Sequence, residues 1–342
     1  MAVRTRTGLV LTRLLQAVPT IAGVIVVTFV MTRMLPGDPA VYFAGPMASP
    51  ESIAEIRHEL GLDRSLAEQF WLYLGDLATG DLGTSLVAGG PVTEEILRRL
   101  PASLELTLFG LAFAIGVALP LGVMAATRPN SWIDHLCRLI VTLGVSLPTF
   151  FTGLLLIYVF YYLAGIAPSP VGRLDFISIP PPRLTGMYTL DALAAGQFDT
   201  FRGALAQLVL PAVTMGVFAL APLARMTRGA MLQVLSSDFI RAARAAGLKP
   251  RTVLITYAFR NAMLPVLTTT GIVFSFMLGA NVLVEKVFAW PGLGSFALEA
   301  LVASDYAAIQ GFVLTMTMLF VALNLVIDIL YTLVDRRMEV SG

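Results

Sequence analysis

The sequence is poor in the side chains from which catalytic and metal centres are usually built. Of 342 residues one is a cysteine, Cys137, and two are histidines, His58 and His135. A single thiol excludes an intrachain disulfide and a cysteine metal cluster. The histidines lie far apart and outside the apolar runs, so no metal centre and no catalytic residue is predicted. Charge is scarce as well. The 23 basic and 22 acidic residues make 13% of the chain, about half the share of a soluble domain. A net charge of +1 without a basic stripe argues against a nucleic-acid binder. Gly-x-x-x-x-Gly-Lys-Ser/Thr is absent, so the chain should not hydrolyse ATP itself. His-Glu-x-x-His and Gly-x-Ser-x-Gly are absent too, which weakens any hydrolase reading.

Apolar residues take the place of charge: 57% of the chain, with a mean hydropathy of +0.81. A hydrocarbon core about 30 Å thick needs about 20 apolar residues per helix. Six stretches qualify: Leu14 to Leu35, Leu104 to Thr127, Leu139 to Ile166, Leu205 to Leu223, Leu264 to Leu283 and Gly311 to Val334. Pro211 and Pro222 interrupt the fourth, which is kept because neighbouring helices can re-satisfy the freed backbone groups. The first stretch follows Arg4, Arg6 and Arg13 like a secretory signal, but it is longer than a signal's apolar core and reads as a retained helix. The fold class predicted is all-α integral membrane, with six transmembrane helices.

Six spans place both termini on one side, together with the loops after the second and fourth helices. That side carries Arg4, Arg6, Arg13, Arg128, Arg138, Arg225, Arg228, Arg241, Arg244, Lys249, Arg251, Arg260, Arg336 and Arg337, which are 14 of the 23 basic residues. Of 22 acidic residues it carries five, Asp134, Asp238, Asp328, Asp335 and Glu339. Basic residues mark the cytoplasmic side, so both termini are expected there. Glu105, Glu285, Lys286 and Asp328 sit near predicted helix ends, within reach of the interface, which leaves a proton-coupled secondary transporter unsupported.

The outer segment from Pro36 to Pro101 is too long for a simple connector. Ser49-Pro50-Glu51 reads as a cap with proline at the first helical position, Gly61 as a stop, and Ile53, Ile56 and Leu60 as one face. Ser65-Leu66-Ala67-Glu68 is a capping box, with Leu66, Phe70, Tyr73, Leu74 and Leu77 as a buried stripe and Gly80 as a stop. Ten acidic against four basic residues give the segment a net charge of −6. It is either a solvated acidic cap or a docking surface for a soluble partner of complementary charge.

Between the fourth and fifth spans, Ser237 or Asp238 can cap a short helix that Gly247 ends and Pro250 keeps from resuming. Phe239, Ala242, Ala243 and Ala246 share one face at helical spacing, and Arg241 and Arg244 point away from it. That shallow face suits a groove on another protein; equally, the helix could lie on lipid headgroups. Ser146, Thr149, Thr268, Ser275 and Asn281 are the polar residues that could line a path through the bundle or hold helices together.

Arg241-Ala242-Ala243 followed by Gly247 resembles the Glu-Ala-Ala-x-x-x-Gly loop of binding-protein-dependent ABC importer permeases. Arg260-Asn261-Ala262-Met263-Leu264-Pro265-Val266 is similar to the peptide/nickel subgroup. Leu35-Pro36-Gly37-Asp38-Pro39-Ala40, Gly80-Asp81-Leu82-Gly83-Thr84-Ser85, Arg99-Leu100-Pro101, Phe288-Ala289-Trp290-Pro291-Gly292-Leu293-Gly294 and Asp305-Tyr306 resemble the B-type subunit of that subgroup, in order along almost the whole chain. Arg241 stands where glutamate is usual, and Phe259-Arg260 where Leu-Pro is usual; both fit the peptide subgroup.

The resemblance implies a type I ABC importer permease in a bacterial inner membrane, passing di- or oligopeptides. Nickel, glutathione and oligosaccharides are the alternative cargoes within the family. It implies three kinds of partner: a second homologous permease, two cytoplasmic ABC ATPase subunits that carry the ATP and magnesium, and an extracytoplasmic substrate-binding protein. No cofactor is expected in this chain. Phe239, Arg241, Ala242, Ala243, Arg244, Ala246 and Gly247 would then couple to an ATPase. Glu51, Glu55, Glu59, Trp290, Pro291 and Gly292 would dock the binding protein or form a gate. The expected divisions are a tail and first helix (1–35), an outer loop (36–103), and a five-helix core (104–342) with a coupling loop at 226–263.

Overall fold

The structure is a computed structural model that describes residues 6–34, 37–45 and 47–334. Leu35 and Pro36 of the first motif, Arg4, and the tail with Asp335, Arg336, Arg337 and Glu339 lie outside the described residues, as do the side chains of Arg6, Arg13 and Asp328. Apart from one two-residue antiparallel pair, β1 (Thr84–Ser85) with β2 (Gly90–Pro91), the described elements are helical. Five helices are long and apolar enough to cross a membrane, and six if one bent pair is counted as a single span. The contacts divide the chain into two compact units.

Among the described residues the first unit holds Arg6, 102–290 and 322–334. It contains most of α5 (Val92–Thr127), α6 (Trp132–Ser146), and α7 (Thr149–Leu156), which runs on as π-helix over Ile157–Leu163. These are followed by α8 (Tyr188–Ala194), α9 (Phe198–Leu235) and α10 (Asp238–Ala245). Then α11 (Pro250–Thr252) passes through a second π-helical run, Val253–Phe259, into α12 (Arg260–Val287).

The stretch with two prolines is the central helix of this unit. α9 is continuous through Pro211 and Pro222. In its most apolar window 61% of the residues are buried, against 17–39% for the other long helices. Small residues let it approach α5 closely, the usual way apolar helices gain packing where water drives nothing. A Cβ on Gly216 would stand 2.4 Å from Phe113 and 2.8 Å from the Gly110 carbonyl; one on Gly122 would stand 2.7 Å from Thr227.

The third apolar stretch is not one straight helix. α6 and the α7 run bend by 107° at Leu147 and Pro148. Leu147 is extended at φ −96, ψ 128, the region into which a following proline forces its neighbour.

Among the described residues the second unit holds 7–34, 37–45, 47–101 and 291–321. It comprises α1 (Arg6–Met34), α2 (Pro39–Ala44), α3 (Pro50–Glu59), α4 (Leu66–Thr79), the β pair, the start of α5, α13 (Leu293–Val302) and the start of α14 (Tyr306–Val334). Ser49 caps α3 by accepting from the Ser52 amide, and the Ser65/Glu68 capping box of α4 is formed in both directions. Gly80 ends α4 in the left-handed region at φ 81.

The apolar stripes are shallower than predicted. Ile53 and Ile56 are half-buried, whereas Leu60, past the last turn of α3, is exposed. On α4 Leu66 is 62% exposed, and Gln69 is the buried residue because Arg33 draws it inward. Val92, Ile96, Leu293, Phe296, Ala300 and Ala308 form the core of this unit.

Candidate functional site

The short helix α10 presents two unlike faces. Ile240 is fully buried and Ala243 is 8% exposed; both pack with Met231, Val253, Ala258 and Ala262 of the flanking helices. Phe239, Arg241, Ala242, Arg244 and Ala246 are exposed. Arg241 pairs with Asp238 one turn earlier, within the exposed face. Gly247 takes φ 76, its amide donates to Arg244 O, and the Leu248 amide donates to Ala243 O. That pair of bonds is the Schellman stop, which favours glycine because the left-handed conformation penalises a Cβ.

The predicted face is thereby divided, and Ala243 leaves the outward set. Ile240 lies three residues before Ala243 and shares its side of the helix. Ile240 is also the largest fully buried residue of the segment, and its burial fixes the rotation of α10. The outward face is Phe239, Ala242 and Ala246, flanked by Arg241 and Arg244.

A buried carboxylate secures the helix that leads into α10. Asp134 on α6 accepts from Arg228 Nε at 2.5 Å and Nη2 at 3.0 Å, from Arg138 Nη2 at 2.9 Å and from the Asn130 amide at 3.0 Å. Arg228 lies ten residues ahead of Asp238, on the last turns of α9.

Trp290 is not a surface group. Its side chain is 2% exposed, its Nε1 donates to the Ala102 carbonyl at 2.9 Å, and its amide donates to Glu285 O at 2.7 Å. A tryptophan held in this way anchors helix ends and cannot dock a soluble protein. Pro291 is exposed, while Gly292 is buried at the cap of α13. Glu51, Glu55 and Glu59 are exposed at successive turns of α3. Glu51 is held below the ordinary carboxylate range by its own backbone amide and the Ser49 hydroxyl.

Of the polar residues along the spans, Ser146 and Thr268 are exposed, and their hydroxyls donate to Thr142 O and Leu264 O of their own helices. Thr149 is half-buried at the first turn of α7, and Ser275 is half-buried with its hydroxyl on Gly271 O. Asn281 is buried at 2%, and its Nδ2 donates to Ser103 O and to Thr107 Oγ1, both at 3.2 Å. It joins α12 to α5 and does not line a path.

Glu105 and Glu285 are not at an interface either; they are 2% and 0% exposed. Arg173, from the loop after the α7 run, donates to Glu105 Oε2 at 2.7 Å and to Gly186 O at 2.7 Å, with its guanidinium 3.5 Å from the Tyr188 ring centre. Thr189 donates to Glu105 Oε1 through its amide and its hydroxyl, and Ser103 Oγ donates to Glu285 Oε1 at 2.6 Å. No motif in the sequence marks Arg173. Its one signal was its isolation as the single basic residue between Arg138 and Arg183.

Long apolar helices, with a short helix fastened by one face and exposed on the other between two of them, define a multi-pass membrane protein. Sequence comparison makes the assignment. Residues 118–340 match the model of the binding-protein-dependent transport system inner membrane component, and residues 7–107 match its N-terminal companion. The chain belongs to that family. It is 43% identical to a probable D,D-dipeptide transport system permease protein of Escherichia coli, over 94% of each chain. It is 40% identical to a dipeptide transport system permease protein of Alkalihalophilus pseudofirmus, over 96% of this chain and 98% of the relative. It is also 40% identical to a di/tripeptide transport system permease protein of Pseudomonas aeruginosa, over 96% and 97% respectively. This is a multi-pass membrane permease of a bacterial peptide-type transport system.

Proposed function

We propose that the chain is one permease half of an ATP-driven importer of di- and oligopeptides in the bacterial inner membrane, with both termini cytoplasmic. The observation that carries this reading is the 43% identity, over 94% of both chains, to a relative named for dipeptide transport. Pairing with a second, homologous permease would complete the translocation path. An extracytoplasmic binding protein would deliver the peptide, with the exposed Glu51, Glu55 and Glu59 steering its approach. ATP and magnesium would be held by two ATPase subunits, and this chain would contribute no catalytic group.

Coupling falls to α10. Phe239, Ala242 and Ala246 form a shallow apolar face that seats in an ATPase groove, and Arg241 and Arg244 offer charge at its margins. Ile240 and Ala243 fasten the same helix to its own bundle, so a displacement of the ATPase is passed to α9 and α12. Energy enters through this contact, because the chain has no motif of its own to supply it.

The test is uptake by proteoliposomes that hold both permeases and the ATPases. The expected result is peptide accumulation that requires both internal ATP and external binding protein. Uptake driven by a proton gradient without ATP would overturn the reading in favour of a secondary transporter.

A further inference from the structure

The second unit contains a cavity of about 500 Å³, bordered by the last turn of α1, by α4, by the segment after α4 and by the first turn of α14. Arg33 forms part of its wall. The guanidinium lies 4.5 Å from the Phe29 ring centre and 4.8 Å from that of Tyr306. Its Nε donates to Gln69 Oε1 at 3.0 Å, and Gln69 is held in turn by the Arg64 carbonyl. Two rings and an amide fix this cation, yet none of them neutralises it. Among the described residues no carboxylate forms an ion pair with Arg33, whereas Arg64, the other cation of the lining, has Asp63 and Glu68 in its field.

Carboxylates are nevertheless present in the same wall. Asp81 accepts from the Gly83 amide, and Asp305 from Ser85 Oγ and the Leu86 and Val87 amides, so both are occupied in shaping the loop. Glu59 and Asp76 have no side-chain partner among the described residues. The cavity thus keeps charges of both signs uncommitted around one space. Tyr73, half-buried in the same wall, adds a phenolic donor.

We propose that this cavity is a subsite for a small zwitterionic peptide, whose carboxylate pairs with Arg33 and whose ammonium pairs with Asp76. The inference rests on the peptide reading above and names the part of this chain that would meet the peptide. The volume falls within the range of small-molecule pockets. A guanidinium already fixed by two rings loses little freedom on binding a carboxylate, and its planar fork matches that group. A simple anion would satisfy Arg33 but leave Asp76 unpaired in the same wall. A zwitterion pairs with both.

The experiment is equilibrium binding of radiolabelled Ala-Phe to the assembled transporter in lipid nanodiscs, without binding protein or nucleotide. Arg33→Gln and Asp76→Asn should each weaken binding about tenfold or more, as expected for a lost charge-assisted hydrogen bond. The C-terminal amide of Ala-Phe should bind as weakly to the wild type as to Arg33→Gln, and N-acetyl-Ala-Phe should be insensitive to Asp76→Asn. Asp76 is exposed on α4, so its variant remains informative if Arg33→Gln disturbs folding. Unchanged affinity in both variants would overturn the inference, as would displacement of Ala-Phe by acetate at equal concentration. Absence of Ala-Phe binding in a transporter that imports Ala-Phe would overturn the subsite and leave the peptide reading standing. Failure of the complete system to import any di- or tripeptide would overturn the peptide reading itself.

Discussion

Arg228 and Asp134 lie 94 residues apart in sequence and meet between α9 and α6 through two parallel hydrogen bonds, one from Nε and one from Nη2. The Asp134 side chain is fully buried, and the Arg228 side chain is 23% exposed. A buried pair of this kind adds little compared with two well-packed apolar residues, but removing one partner strands the other. The arginines keep some access to water, so Asp134→Ala is expected to destabilise the bundle by about 1–3 kcal/mol. Thermal unfolding of purified permease in detergent should show a lowered midpoint. Arg228→Lys keeps the charge but loses the fork, so its midpoint should fall between those of the wild type and Asp134→Ala. A wild-type midpoint in Asp134→Ala would refute the role of the pair.

Asp191 sets a pH dependence outside the spans. Burial raises its carboxyl, but the Thr185 amide and hydroxyl and the Gly186 and Leu184 amides outweigh burial and hold it below the ordinary aspartate value. A depressed folded value means that the stabilisation is complete above the unfolded value, near 3.9, and is lost as pH falls through the folded one. Amide exchange at Leu184, Thr185 and Gly186 should be slow at neutral pH, and protection should be lost only in strong acid. Asp191→Asn should expose these amides at every pH. Equal protection in the variant would show that the loop is held by other means.

The acidic stripe of α3 bears on association. Replacing Glu51, Glu55 and Glu59 with lysine changes only exposed positions and should lower the unfolding midpoint only slightly, through the lost Glu51 contacts in the first turn of α3. Binding-protein association should slow most at low ionic strength, because steering fades with screening. Association kinetics that are the same at low and high salt, and the same in both proteins, would leave the stripe as a solvated cap.

Hydropathy located every span, but it could not bound the helices. α9 begins seven residues before Leu205 and ends twelve after Leu223, because a helix continues into polar turns that the membrane no longer selects. The caps at Ser49 and Ser65 were readable because capping is local, set by residues within three positions of each other. The orientation of α10 was not readable in the same way. Treating its alanines as one small face ignored Ile240, whose burial turns the Ile240 and Ala243 side inward and leaves the bulkier Phe239 exposed. Trp290 misled because a conspicuous aromatic in a loop motif looks available, whereas its indole bonds to a carbonyl 188 residues away. Arg173 with Glu105, and Arg228 with Asp134, are long-range pairs, and no local pattern announces them.

The division of α10 into two faces separates folding from coupling. Ala243 packs beside Met231 and Ala258, so Ala243→Trp overpacks the chain's own core, at a typical cost of about 1–3 kcal/mol. Its unfolding midpoint and its abundance in the membrane should both fall. Ala242 is exposed one position away, and Ala242→Trp adds bulk only where a partner would sit. That variant should reach the membrane at wild-type level and unfold at the wild-type temperature. If the outward face seats in an ATPase groove, Ala242→Trp and Phe239→Ala should both lose ATPase stimulation and peptide uptake. An interfacial helix predicts the opposite for tryptophan, which would deepen contact with lipid and leave transport intact. Gly247→Val serves as a control for the helix end, since φ 76 penalises a β-branched residue and should loosen α10 without touching either face. ATPase stimulation measured in reconstituted complexes decides the matter. Full coupling in Ala242→Trp, at normal abundance, would remove α10 from the ATPase contact.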